Sequence, residues 1–130
     1  MSQVVVDTSV ISYILKKHSL APSYWEILKG HLLGISFMTV AELYCWPLQR
    51  DWGEQRIVGL RQHLRGYTVL PYSDEMSWEW ARIKCRRGRP ISDSDAWIAA
   101  TALLHEAPLV THNPRHFLHI EGLEVLTVSA

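Results

Sequence analysis

Cysteine is scarce in this chain. Only Cys45 and Cys85 occur among 130 residues, far apart and with no C-x-x-C pair. That spacing supports neither a disulfide framework nor a cysteine zinc site, and it points to a reducing, cytoplasmic setting. Long apolar runs are missing too: no segment approaches the roughly 20 residues of a membrane span. The first apolar run, Val4-Val5-Val6, is cut by Asp7, and no basic stretch precedes it. Neither a secretion signal nor membrane insertion is expected. Net charge is absent, since 13 Lys and Arg balance 13 Asp and Glu. This excludes a protein that coats nucleic acid over its whole surface. Repeats, low-complexity tracts and Pro/Gly/Ser-rich linkers are also lacking. What remains is 48% apolar residues, enough for a core without staples, so residues 1–130 are expected to form a single domain.

Short β-branched stretches alternate with helical patterns. Val4-Val5-Val6, Gly34 to Met38, Tyr67 to Leu70, Pro108 to Thr111 and Leu123 to Thr127 read as strands. Val10, Ile11, Ile14 and Leu15 recur at helical spacing, Pro22 to Lys29 reads as a helix, and Ile57, Leu60 and Leu64 mark another. Thr39-Val40-Ala41-Glu42 and Ser92-Asp93-Ser94-Asp95 have the form of capping boxes. The first predicts a helix running until Pro47 disturbs it, the second the Ala-rich helix Ala96 to Glu106. Ser73-Asp74-Glu75 opens a further helix with acids in its first turn, its buried side lined by Met76, Trp80 and Ile83. The alternation predicts an α/β fold with a parallel sheet of four to five strands covered on both faces.

In such a sheet, ligands bind outside the carboxyl ends of the strands. Those ends deliver Asp7-Thr8-Ser9, Thr39 with Glu42, and His112-Asn113, and Asp95 joins them if its helix starts on the same rim. Carboxylates gathered without neutralising cations need a hard divalent ion such as Mg²⁺ or Mn²⁺. A metal there supports phosphodiester hydrolysis. Each acid also has a plainer reading: Asp7 as a helix N-cap, and Glu42 and Asp95 as the third helical position of a capping box. Arg82-Ile83-Lys84-Cys85-Arg86-Arg87-Gly88-Arg89 concentrates five of the 13 basic residues. It reads either as a solvated helix face or as a rim for a polyanion, with Arg86, Arg87 and Arg89 as phosphate contacts. His112, His116 and His119 lack a nearby Cys or an H-E-x-x-H pattern, so they read as rim or packing residues before zinc ligands. Of the six Trp, Trp25, Trp80 and Trp97 fall on apolar faces.

Val4 to Ile11, Thr39 to Leu43, Gly88 to Leu103 and Leu109 to Phe117 together resemble, in order, the successive motifs of PIN-domain ribonucleases. The likeness is strongest to VapC-type toxins of bacterial toxin–antitoxin pairs. The resemblance implies a three-layer α/β/α domain, an acidic pocket binding Mg²⁺ or Mn²⁺, and hydrolysis of RNA. It implies Asp7 and Asp95 as principal metal ligands, Glu42 as a third acid, and Thr8 or Ser9 orienting a metal-bound water. Asn113 stands where the family often has a fourth acid, which predicts one firmly held ion and a second arriving with RNA phosphate. Asp93 is a candidate substitute acid. The resemblance further implies a homodimer and a small antitoxin covering the pocket. Two rivals stay open: a PIN-like module that binds RNA or a partner without cutting, and an aspartate-nucleophile phosphatase. The latter lacks its usual second acid, because Ser9 stands two residues after Asp7.

Overall fold

Three consecutive valines set the middle of the sheet. Strand neighbours point to opposite faces, so Val4 and Val6 join one core with Val10, Ile11, Tyr24, Leu28 and Leu43, while Val5 joins another with Met76, Ile98, Ala99, Leu109 and Phe117. None of the three valines is more than 1% exposed, which is why the run lacks polar alternation. The computed structural model describes residues 2–128. Its strands are β1 (Gln3–Val6), β2 (Leu32–Ser36), β3 (Thr68–Leu70), β4 (Leu109–Val110) and β5 (Val125–Leu126). Its helices are α1 (Thr8–Leu15), α2 (Ala21–Leu28), α3 (Phe37–Gln49), α4 (Glu54–Leu64), α5 (Asp74–Lys84) and α6 (Asp93–Leu104), with one 3₁₀ turn at Pro114–His116.

All strand pairs are parallel, in the order β3-β2-β1-β4-β5. Residues of α1 to α4 pack on one face of the sheet and those of α5 and α6 on the other. This is the expected α/β/α sandwich, with five strands. From β1 the chain moves outward through β2 and β3, then returns to lay β4 on the other side of β1. The reversal of strand order therefore falls between β1 and β4, the place where open parallel sheets form their ligand crevice. Among the described residues no helix is long and apolar enough to cross a membrane.

Most elements shift by one to three residues from expectation, and the end of β2 and the span of α3 differ for a physical reason. The second strand stops at Ser36 rather than Met38, because Ser36 itself caps α3: its Oγ accepts the Met38 N–H at 3.0 Å. Thr39 is then buried inside the first turn, and Thr39 to Glu42 is no capping box. The helix also runs through Pro47 to Gln49; Pro47 falls in the last turn, where its missing N–H costs one hydrogen bond without ending the helix. At α6 the capping expectation holds, with Ser92 Oγ accepting the Asp95 N–H at 3.1 Å. Trp25 is 41% exposed rather than in the core. The buried side of α2 is formed by Ala21, Tyr24 and Leu28, and Trp25 lies off that stripe.

Candidate active site

Asp7 follows β1 directly, at the switch in strand order, and is only 3% exposed. It occupies the N-cap position of α1 but its side chain makes no capping bond. Oδ2 instead accepts the hydroxyls of Ser9 and Thr111, both at 2.7 Å. Ser9 Oγ in turn accepts the His112 N–H at 3.1 Å, and Thr111 Oγ1 the Asn113 N–H at 3.0 Å. Every hydroxyl in this clasp both donates and accepts, so the network is satisfied while it ties the start of α1 to the end of β4. Burial pushes the Asp7 carboxyl above its ordinary range; the two hydroxyls pull it back, and the charge of Asp95 raises it further.

Glu42 lies one turn beyond Thr39 on the same side of α3. Thr8 Oγ1 donates to Glu42 Oε1 at 2.8 Å and lies 3.0 Å from Thr39 Oγ1. Partial burial raises the Glu42 carboxyl, the hydroxyl of Thr8 opposes that, and the charges of Asp7 and Asp95 add to it. Asp95 stands in the first turn of α6 with a side chain 20% exposed, its Oδ2 3.0 Å from His116 Nδ1. A carboxylate oxygen can only accept here, so Nδ1 carries the proton.

Three acids from the starts of α1 and α6 and from α3 thus sit within one another's fields. None is within ion-pair distance of a Lys or Arg among the described residues. Nor do three His, Cys, Asp or Glu side chains among those residues close round one point as a ready-made metal cage. That arrangement is wrong for structural zinc, which wants four close protein ligands. A hard divalent ion that keeps several waters needs only one or two carboxylates.

The other residues singled out in the sequence fall in different places. Thr8 and Ser9 reach carboxylates rather than open space. Asp93 turns away from the pocket: it pairs with Lys84 Nζ at 2.9 Å, with its side chain 77% exposed. As the residue opening α6 it points to the α5 side, where Lys84 holds it. Asn113 is exposed on the rim beyond β4. The basic run is largely engaged. Arg82 pairs with Glu79, Lys84 with Asp93 and the Ile91 carbonyl, and Arg86 donates to the His119 carbonyl at 3.1 Å. Arg87 and Arg89 are exposed and make no ion pair among the described residues.

The three histidines also separate. His112 Nδ1 bonds to the Tyr24 hydroxyl, His116 faces Asp95, and His119 has its pKa lowered by partial burial and then by the nearby charges of Arg89 and Arg86. Sequence reasoning missed Thr111, a buried threonine at a strand end whose only signal was its place beside His112-Asn113. It also missed the part of His116 as the partner of Asp95.

A PIN domain model matches residues 4–123. Ribonuclease VapC1 from Haemophilus influenzae strain R2866 is 31% identical over 125 residues, covering 92% of this chain and 93% of the relative. Among solved structures, VapBC-1 from nontypeable Haemophilus influenzae superposes with TM-score 0.80 at 29% identity, over 95% of this chain and 96% of that one. VapBC2 from Rickettsia felis bound to a promoter DNA fragment gives TM-score 0.84 at 24% identity, over 97% and 98%. With the match spanning nearly every element and both strand ends that build the acidic pocket, the chain belongs to the PIN domain family.

Proposed function

We propose that the protein is a divalent-metal-dependent endoribonuclease and the toxin of a toxin–antitoxin pair. The observation that carries the reading is the set of three coupled carboxylates, Asp7, Glu42 and Asp95, on the carboxyl rim at the strand-order switch. Its likeness to Ribonuclease VapC1 over 92% of the chain supports the activity, and its likeness to VapBC-1 supports a protein partner covering the site.

Each acid has one oxygen tied by a donor from the protein: Asp7 by Ser9 and Thr111, Glu42 by Thr8, Asp95 by His116. Glu42 is also reached by the Ser94 side chain and Asp7 by the Thr8 backbone, and these three residues would hold Mg²⁺ or Mn²⁺. Such an ion lowers the pKa of bound water and stabilises the leaving oxygen of a phosphodiester. Thr8, Ser9 and Thr111 fix the carboxylates so that they need not reorganise when substrate arrives. Asn113 contributes no charge, which favours one firmly held ion. Within the basic run, Arg87 and Arg89 make no ion pair among the described residues and are the ones to take backbone phosphate, and Arg86 acts from its hold on the His119 carbonyl.

RNA cleavage with Mg²⁺ or Mn²⁺, lost in Asp7→Asn and Asp95→Asn variants that still melt cooperatively, is the expected result. Cutting that persists in both variants would overturn the site. The second reading, an RNA-binding module that does not cut, draws on Asn113 and on the lack of a ready-made ligand cage. It predicts RNA binding with no cleavage at any concentration of either ion.

A further inference from the structure

On the β4–β5 side of the acids lies a cavity of about 550 Å³, walled by residues 112–116 and 127–128. That volume is within the range, about 300–1,000 Å³, that takes a small organic ligand. Among the described residues no acid lines it, whereas Arg115, His112 and His116 do. Arg115 is exposed and makes no ion pair among the described residues. One lining residue reaches an acid directly and another through a hydroxyl: His116 bonds to Asp95, and the His112 N–H holds the Ser9 hydroxyl that holds Asp7.

The His112 ring is held from behind more firmly than a wall residue needs. Tyr24, fully buried, bonds through its hydroxyl to His112 Nδ1. The same phenol oxygen lies 3.5 Å from the Val128 N–H and from Thr127 Oγ1. Tyr13 packs against the ring at 4.6 Å between centroids. The phenol thus engages Nδ1 and leaves Nε2 as the ring nitrogen not taken by Tyr24. The Arg115 guanidinium and the His112 imidazole, in a cavity that no acid lines among the described residues, suit an anion, and the amide of Asn113 offers both a donor and an acceptor to a base edge.

We propose that this cavity holds the nucleotide next to the scissile phosphate, its phosphate taken by Arg115 and His112 and its base lying along Asn113. The proposal rests on the ribonuclease reading and adds a single-nucleotide subsite to it.

The probe is adenosine 5′-monophosphate, titrated into isotope-labelled full-length protein without divalent ions, with adenosine and inorganic phosphate as separate arms. The expected result is saturable change in the signals of residues 112–116 and 127–128, strongest for the nucleotide. Arg115→Ala is expected to weaken binding about tenfold or more, as loss of a hydrogen bond to a charged group does. Arg115→Lys should restore part of it, and Arg65→Ala on the far rim should change nothing. Nucleotide signals confined to Arg87 and Arg89, or affinity unchanged in both Arg115→Ala and His112→Gln, would overturn the subsite. Wild-type protein that cuts RNA yet shows no change at residues 112–116 loses the subsite and keeps the activity. Protein that binds the nucleotide there but never cuts RNA keeps the subsite and loses the ribonuclease reading.

Discussion

The three rim carboxylates and the five cations of residues 82–89 carry opposite charge, and the fold treats them in opposite ways. The acids lie far apart in sequence and are brought together, partly desolvated and held by hydroxyls and an imidazole. No Lys or Arg among the described residues neutralises them. The cations are adjacent in sequence, remain mostly exposed, and three of them are already engaged by Glu79, Asp93 and the His119 carbonyl. Charge that is dense in sequence is largely cancelled by its neighbours, while charge that is sparse in sequence becomes concentrated where helices and strands converge. A zero net charge therefore says little about the local field at the rim.

The strongest way to break this contrast is to remove an acid. Asp7→Asn should reduce RNA cleavage by at least about 100-fold, since even a residue that merely supports a metal ligand is worth about 10–100-fold. The same substitution should make the metal-free protein more stable at neutral pH. Burial raises the Asp7 pKa in the folded state above its unfolded value, so the stability it contributes is complete below the ordinary carboxylate range and is lost as pH rises through the raised value. Asn never ionises, so melting curves should coincide with wild type in acid and lie higher above that window. An Asp7→Asn variant less stable than wild type at neutral pH would show that the carboxylate is not strained by its burial.

Next in size is Thr111→Val, which keeps the shape but removes the donor to Asp7 and the acceptor of the Asn113 N–H. We expect about a 10–100-fold loss of metal affinity or activity. Denaturant melts should show about 1–3 kcal/mol of lost stability, the cost of unsatisfied buried groups. Equal activity and stability would mean that the hydroxyl clasp is incidental.

On the basic side the expected effects are smaller and sort the run by engagement. Arg87→Ala and Arg89→Ala should each reduce the salt dependence of single-strand RNA binding by about 0.7 in log–log slope. Lys84→Ala should leave that slope unchanged, because Lys84 is committed to Asp93 and Ile91. A slope that falls equally for Lys84 would erase the distinction between engaged and free cations. Smallest of all, Asp93→Asn should alter stability by no more than about 0.5 kcal/mol, as an exposed ion pair allows, and should leave cleavage intact. A large loss of cleavage would return Asp93 to the site.

Much of this was legible because some residues have one physical use. A run of three valines flanked by polar residues fits a doubly buried strand, and Ser92 to Asp95 is a helix start on composition alone. The placement of Asp7, Glu42 and Asp95 on one rim followed from strand ends and helix starts. What escaped depended on choices between equivalent partners. Ser36 and Thr39 are both competent caps, and only the sheet register of β2, which pairs Ser36 with Leu70, leaves the role to Ser36. Thr111 looks like any strand threonine until β1 and β4 are seen side by side. Trp25 and Tyr24 are neighbours of similar character, and the helix phase alone puts one in the core and the other in water. The pairing of Arg82 and Lys84 was hidden because their acids lie on side chains whose direction the sequence does not give.

Whether Asp7, Glu42 and Asp95 form one cation site is read most directly by metal-dependent melting. Wild-type protein should gain stability steadily with Mn²⁺, because an ion that binds only the folded state stabilises it by mass action. Asp7→Asn should start higher without metal and stay flat as Mn²⁺ is added. If Asp7→Asn gains as much from Mn²⁺ as wild type, the ion binds elsewhere and the proposed site is wrong.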